Sequence, residues 1–245
     1  MNSKLINNKF IRTNNILAID TSSDFCSVAL LLKNNTIISH SLFSPLQHTK
    51  HILSLIADVM NKGNINLQEL STITFCNGPG NFTGLRLSIS IVQGLAYTVN
   101  IPVIPISNLQ ILAQEAFSDF FANKVLIIQN ARMGKVYLGK YKINNDMIME
   151  PSIPDYLCSL EQLKELNQKF NTECIGIGDG FFIYKEHINI HSNFKVMNNK
   201  IKLKYLLKLA TYYFMQNKVK SIFEIYPEYL RENIIITDNR SQYIN

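Results

Sequence analysis

The chain has 245 residues, 47% of them hydrophobic and 17% charged, with a formal net charge of +6. That length buries one large core or two smaller ones, and the composition excludes a disordered chain or a collagen-like repeat. Asn, Ile and Lys are plentiful and Trp is absent, a bias that supplies positive charge by itself. The lysines read as scattered, with no stripe to mark a nucleic-acid surface.

The four cysteines, Cys26, Cys76, Cys158 and Cys174, are far apart and form no C-x-x-C pair. They are expected to be reduced, mostly buried thiols of a cytoplasmic protein, not a disulfide framework or a zinc site. Residues 1–15 are polar and lack the apolar core of a signal peptide. They are read as a loose tail. No apolar run is long enough to span a bilayer.

Ile16–Ile19 reads as a buried strand ending in Asp20-Thr21-Ser22-Ser23. An acid followed by hydroxyls at a strand exit can hold a phosphate or a metal-bound water. It can equally be a turn whose side chains satisfy one another. Phe25–Leu32 and Ile37–Phe43 read as the next strands, joined through Asn34-Asn35, which tolerate positive φ. A helix is predicted over Leu46–Asn61, with Leu46, Leu53, Ile56 and Met60 on one face and Ile52, Leu55 and Val59 beside it. His48 and His51 share a helix face, but no carboxylate or cysteine joins them as a metal set, so they read as surface or capping residues.

Ser71–Phe75 is a strand, and Cys76-Asn77-Gly78-Pro79-Gly80-Asn81-Phe82-Thr83-Gly84 follows it into a helix over Leu85–Tyr97. Gly78 and Gly80 permit positive φ or close backbone approach, and Thr83 is expected to cap the helix. Free N–H groups at such a start favour an anion. The other reading is that the glycines only make a tight connection. Pro102–Ile106 is then a strand, with Ser107 capping a helix over Asn108–Phe117.

The order recurs downstream. Strands are predicted at Lys124–Gln129, Val136–Tyr141 and Asp146–Met149, then a helix at Leu160–Gln168. A strand at Glu173–Ile177 leads into a second glycine turn, Gly178-Asp179-Gly180. A short helix at Phe181–Glu186, a weak strand at Phe194–Met197 and a helix at Leu203–Phe214 complete the repeat. Twice-repeated order of this kind predicts two similar α/β lobes with mixed sheets.

Several stretches together resemble the TsaB family (also called YeaZ), the bacterial partner proteins of tRNA threonylcarbamoyladenosine synthesis. They are Ile16–Ser22, Gln47-His48-Thr49, Gly78–Arg86, Gln93–Ala96 and Ala131–Tyr137, with Pro227-Glu228-Tyr229-Leu230-Arg231 near the end. The likeness is strong from Ile16 to Tyr141 and weak between Lys142 and Lys220. It implies a duplicated actin-like fold, each lobe a mixed five-stranded sheet with flanking helices. The lobes are expected at 16–107 and 108–217, with 218–245 packing back on them.

The resemblance further implies a non-catalytic subunit that binds and activates a TsaD-like transferase. That relative transfers threonylcarbamoyl to the adenosine beside the anticodon of tRNAs reading ANN codons. It holds a metal through a His-x-x-x-His motif, and here those positions read Asn108 and Leu112; leucine offers a metal no lone pair. The partner interface is expected at Leu53, Ile56, Met60, Ile89 and Val92. Asp20, Thr21, Ser22, Gly78, Gly80 and Thr83 are the candidate phosphate or nucleotide turn. No metal or cofactor of its own is expected, beyond ADP or ATP at the partner interface. The implied partners are the TsaD-like transferase, a TsaE-like ATPase, a second copy when the chain is alone, and tRNA through the complex. Asn130 stands where the family usually has Asp, so a contact relying on that charge is at stake. The rival classes are a stand-alone nucleotide-dependent kinase or hydrolase of the same fold, and a peptidase; for the latter no Ser/His/Asp or Cys/His arrangement can be read.

Overall fold

The computed structural model describes residues 14–167, 174–188, 194–195, 200–227 and 230. They divide into two compact units. The first comprises residues 14–106 and Lys202–Pro227; the second comprises the described part of Ser107–Ile201 with Leu230.

In the first unit the strands are β1 (Ile16–Asp20), β2 (Phe25–Leu31), β3 (Ile37–Phe43), β4 (Thr72–Gly78) and β5 (Val103–Ser107), in the order β3-β2-β1-β4-β5. β1 runs antiparallel to β2 and parallel to β4, so the sheet is mixed. Every residue of β1 is buried, which is what an unbroken Ile-Leu-Ala-Ile run demands of a central strand covered on both faces. One cover is made by α1 (His48–Gly63) and α2 (Phe82–Val99), whose Ile52, Ile56, Val59, Ile89 and Val92 share a core with Leu17, Ile19, Val28, Leu30 and Phe75. Successive strand side chains alternate, so Ile16 and Ala18 face the other way, and they are equally buried. The helix Leu203–Met215 (α6) contacts β1, β2 and β4 and supplies the second cover.

The second unit holds α3 (Asn108–Phe120), β6 (Lys124–Asn130), β7 (Lys135–Ile143), β8 (Met149–Ser159), α4 (Leu160–Asn167), β9 (Ile175–Ile177), the short α5 (Gly180–Ile183) and β10 (Phe194–Lys195). Its sheet has the order β10-β9-β6-β7-β8. β6 is antiparallel to β7 and parallel to β9, as β1 is to β2 and β4. Two mixed five-stranded sheets with the same central pattern are the duplicated α/β fold that the repeated order predicts.

Three expectations need correction. The second lobe does not run unbroken from 108 to 217, because α6 covers the first sheet; its apolar face is generic, and only packing decides which sheet it joins. The strand expected at Asp146–Met149 is instead Met149–Ser159. Asn144–Met147 is a turn, in which Asn144 Oδ1 accepts from the N–H groups of Asp146 and Ile148. Pro151 and Pro154 hide this strand in the sequence, yet β8 is an edge strand, where proline removes no ladder bond. Finally, Asn15 is not part of a loose tail. It is buried, accepts from the Lys33 N–H and donates to the Glu69 carbonyl. Residues 1–13, and the ends of the expected segments at Gln168 and at 196–197, lie outside the described residues.

After α6 the chain returns to the first sheet, where Lys220 and Val103 exchange backbone hydrogen bonds of 2.8 and 2.9 Å. Leu230 is buried with Ala131 and Leu157 of the second unit. The four cysteines are free thiols, three of them buried; burial pushes Cys26 and Cys158 up to about 11. No helix among the described residues is long and apolar enough to cross a membrane.

Candidate functional site at the two glycine turns

The first glycine turn lies directly on the exit of β1. Asp20, Thr21 and Ser22 are all buried. Asp20 Oδ1 accepts from the Ser22 N–H at 2.8 Å and the Ser22 hydroxyl at 2.6 Å. The Thr21 hydroxyl donates to the Gly84 carbonyl at 2.7 Å, and the Asn81 N–H donates to the Ser22 carbonyl at 2.7 Å. A Cβ on Gly84 would collide with the Thr21 carbonyl, and one on Gly80 would lie 2.7 Å from the Ser22 carbonyl oxygen. These glycines are required because backbone lies on backbone.

The helix start is also satisfied from within. Asn81, not Thr83, is the cap; its side-chain oxygen accepts from the N–H groups of Thr83 and Gly84 at 3.1 and 3.3 Å. Thr83 is exposed. Two of the donors that a phosphate would use are therefore already engaged. The structure brings Asp20, Thr21, Ser22, Gly80 and Gly84 together as a self-satisfied turn, with Gly78 at φ +113 closing β4.

One feature is not self-satisfied. Asp20 Oδ2 is buried without a hydrogen-bond partner. Burial pushes the Asp20 carboxyl above the usual carboxylate range, while the Ser22 bonds, the Cys76 thiol and the nearby His48 ring pull it back. The Cys76 thiol beside the carboxyl is only a weak donor.

His48 is the residue that sequence reasoning undervalued. It is buried rather than a surface histidine. Its Nδ1 lies 2.7 Å from the Ser44 carbonyl and its Nε2 2.7 Å from the Ser23 carbonyl. The ring ties the turn after β1 to the start of α1. The Gln-His-Thr stretch was the available signal; its spacing from Ser23 in space was not.

The second turn follows the same plan. Asn130, at the end of β6, accepts on Oδ1 from the Arg132 N–H at 2.8 Å and from the Tyr184 hydroxyl at 2.9 Å. Its N–H donates to Asp179 Oδ1 at 2.7 Å. A Cβ on Gly178 or Gly180 would strike the Ile128 carbonyl, and Gly178 has φ +114. The amide oxygen of Asn130 makes both of these bonds without a charge.

The five residues expected at the partner interface separate. Ile56, Met60, Ile89 and Val92 are core residues of the first unit, 0–6% exposed, whereas Leu53 is 61% exposed. The apolar stripes of α1 and α2 are broad because each helix lies over several strands, so width alone does not leave surface to spare. The apolar surface that remains belongs to other residues. Leu46 (95%), Phe82 and Tyr97 are exposed, and Leu87, Ile91 and Leu95 of α2 are half-buried. Leu46 holds φ 61 at the third position of the Ser44–Gln47 turn, where glycine is usual.

In the second unit, Ser107 caps α3 by accepting from the Leu109 N–H, as expected. It also donates to Asp155 at 2.5 Å, and the Tyr141 hydroxyl donates to the same carboxylate. Asn108 and Leu112 are both buried. Among the described residues no three His, Cys, Asp or Glu side chains are grouped to hold a metal.

Paired mixed sheets, each with a glycine turn laid on the exit of its central strand, define a duplicated actin-like α/β protein. The family model for TsaD, tRNA N6-adenosine threonylcarbamoyltransferase, matches residues 41–241. The tRNA threonylcarbamoyladenosine biosynthesis protein TsaB of Haemophilus influenzae is 34% identical over 228 residues, spanning 89% of this chain and 94% of the relative. TsaB of Escherichia coli is 31% identical over 222 residues, spanning 89% and 95%. Among solved structures, YeaZ from Pseudomonas aeruginosa superposes with a TM-score of 0.78 at 28% identity, covering 88% of this chain and 99% of that one. The chain belongs to the TsaB family, whose members are named for tRNA threonylcarbamoyladenosine biosynthesis.

Proposed function

We propose that this chain is the non-catalytic partner of a TsaD-like transferase, acting in the cytoplasm on tRNAs that read ANN codons. The observation that carries this reading is at the head of α3. Where the relative has its metal-binding histidines, this chain has Asn108 and Leu112, and Leu112 is a packed core side chain with no donor atom. What the chain offers instead is apolar surface on α1, α2 and the turn before α1, with Leu46 and Leu53 the most exposed members of the α1 end. Exposed apolar surface of this kind fits a protein interface. The same reading includes a TsaE-like ATPase as a further partner, a second copy of the chain when no partner is present, and any nucleotide bound at the partner interface.

The test is reconstitution of threonylcarbamoyl transfer to a tRNA transcript by the TsaD-like enzyme, with and without this chain. Transfer is expected only with both. Leu46→Lys and Leu53→Lys are expected to keep the wild-type melting temperature and to weaken partner binding and transfer together, by about tenfold or more for a central contact. Transfer at full rate without the chain, or turnover of ATP by the purified chain alone, overturns the proposal; the second result indicates a kinase or hydrolase.

A further inference from the structure

The lysines are less evenly scattered than the sequence suggests. Six of the chain's 24 Lys and Arg residues fall between Lys200 and Lys220, a segment with no Asp or Glu. In the structure this segment is α6 and the strand-like return to β5. Leu203, Tyr205, Leu206, Leu209, Ala210 and Tyr212 face inward, while Lys202 and Lys204 are exposed and Lys208 is half-buried. Lys204 and Lys208 are four residues apart and so share one helix face. Lys218 and Lys220 are exposed just beyond the helix, fixed in place by the backbone pairing of Lys220 with Val103.

At the start of α6 the placement of Lys202 and Lys204 opposes local stability. The first turn of α6 has no acidic residue, and its N-cap, Lys202, makes no side-chain cap bond. Cations at a helix N-terminus add to the positive end of the helix dipole instead of offsetting it. A break with a local rule of this kind is expected where a surface serves function or the fold is strained. Lys204 lies over the Tyr205 ring at 4.6 Å and Lys218 over the Tyr213 ring at 5.8 Å. Desolvation holds the Lys208 ammonium below the usual lysine range, a cost that contact with a phosphate would offset. Two aromatic rings follow closely, Phe223 at 83% and Tyr226 at 69% exposure. The short helical turn that carries Phe223 is pinned to α2 through the Gln93 side chain and the Ile222 carbonyl.

We infer that the stretch from Lys202 to Tyr226 is an RNA-binding strip, with Lys204, Lys208, Lys218 and Lys220 contacting phosphates and Phe223 and Tyr226 stacking on unpaired bases or riboses. A run of lysines followed by two exposed rings, with Glu224 the one acid between Lys200 and Tyr226, fits RNA better than an acidic protein, because the rings offer a π face to every base and nothing specific to a carboxylate. This goes beyond the partner role, since it gives the chain a direct contact with the substrate RNA.

The test uses the full chain alone and an unmodified tRNA transcript, with binding measured by fluorescence anisotropy from 50 to 300 mM salt, conditions chosen to span the strong electrostatic regime, roughly as for other phosphate binders. The quadruple variant Lys204→Gln/Lys208→Gln/Lys218→Gln/Lys220→Gln is expected to bind at least about tenfold more weakly, with the slope of log affinity against log salt reduced by about 3. Phe223→Ala/Tyr226→Ala is expected to lose affinity with the slope unchanged. Lys204→Gln alone, at an exposed position, keeps the test available if the quadruple variant folds poorly; its slope is expected to fall by about 0.7. Unchanged affinity and slope overturn the inference. Retained RNA binding with loss of the TsaD-like partner also overturns it and makes the strip a protein interface. Threonylcarbamoyl transfer with and without the chain is scored separately, so failure here is distinct from failure of the partner role.

Discussion

The exits of β1 and β6 are two solutions to one geometric problem. In each, the residue at the strand end turns its side-chain oxygen onto the backbone two residues on, from Asp20 to Ser22 and from Asn130 to Arg132. In each, a glycine turn is laid on the carbonyls of that exit. The chemistry differs. Asn130 is neutral, and its oxygen holds two donors, one from Tyr184. Asp20 is ionisable, buried, and leaves Oδ2 without a partner. The turn therefore needs an oxygen at this position but not a charge, and the second unit shows the version without one. The carboxyl of Asp20 is a cost that the fold does not require.

The largest effect is expected where the two turns agree. Gly84→Ala and Gly178→Ala each drive a Cβ into a backbone carbonyl that no rotamer change can move. Each is expected to cost on the order of 3 kcal/mol, the upper range for overpacking. Gly178→Ala is expected to cost at least as much as Gly84→Ala, because φ +114 also disfavours any L side chain. Urea midpoints measure both. A loss under about 1 kcal/mol at either site would mean that the close backbone approach is not a constraint, and the likeness of the two turns would fail.

Exchanging the two side chains tests the difference. The Asp20 carboxyl is raised above its ordinary 3.8 in the folded chain. A raised carboxyl binds its proton more tightly folded than unfolded, so its contribution is complete below the unfolded value and is lost as pH rises through the folded one. Asp20→Asn keeps the Ser22 bonds and removes that loss. Its melting temperature is expected to match the wild type near pH 4 and to exceed it at pH 8. Asn130→Asp does the reverse. It sets a carboxylate beside Asp179, whose Oδ1 already accepts from the residue 130 N–H, and is expected to cost about 1–2 kcal/mol near neutral pH, recovered on acidification. Melting curves from pH 4 to 8 for the two variants should move in opposite directions. Parallel curves would show that charge is not what separates the two exits.

The smallest effect separates two neighbours in the first turn. Asn81→Ala removes the side chain that caps α2 and is expected to cost about 1 kcal/mol. Thr83→Ala, at an exposed position that caps nothing, is expected to stay within about 0.5 kcal/mol of the wild type. Equal losses would return the capping role to Thr83.

Much of the architecture is legible in the sequence, and particular residues show why. Ile16–Ile19 is apolar without a break, and such a run belongs in the middle of a sheet. The order of elements repeats, so a duplicated fold follows. Ser107 before a helical stretch is a cap by composition and is a cap in the structure. What was misread shares one cause. Ile56 and Leu53 belong to the same apolar pattern, yet one is core and the other surface, because helical spacing gives a face and not the width of what covers it. Pro151 and Pro154 argue against a strand until β8 proves to be an edge. Thr83 and Asn81 are both good caps, and the backbone angle at the helix start selects Asn81.

The sequence by itself determined the local choices: which runs are strands, where glycine is needed, and the family to which the chain belongs. Those follow from steric limits and side-chain period, which act over a few residues. Only the tertiary structure decided which sheet α6 covers, that His48 joins two carbonyls 25 and 4 residues away in the chain, and that Asp20 is left with an unpartnered oxygen. Each of these depends on at least one group distant in sequence, Ser23 in the case of His48, meeting at hydrogen-bonding or packing distance, and no local preference encodes such a meeting.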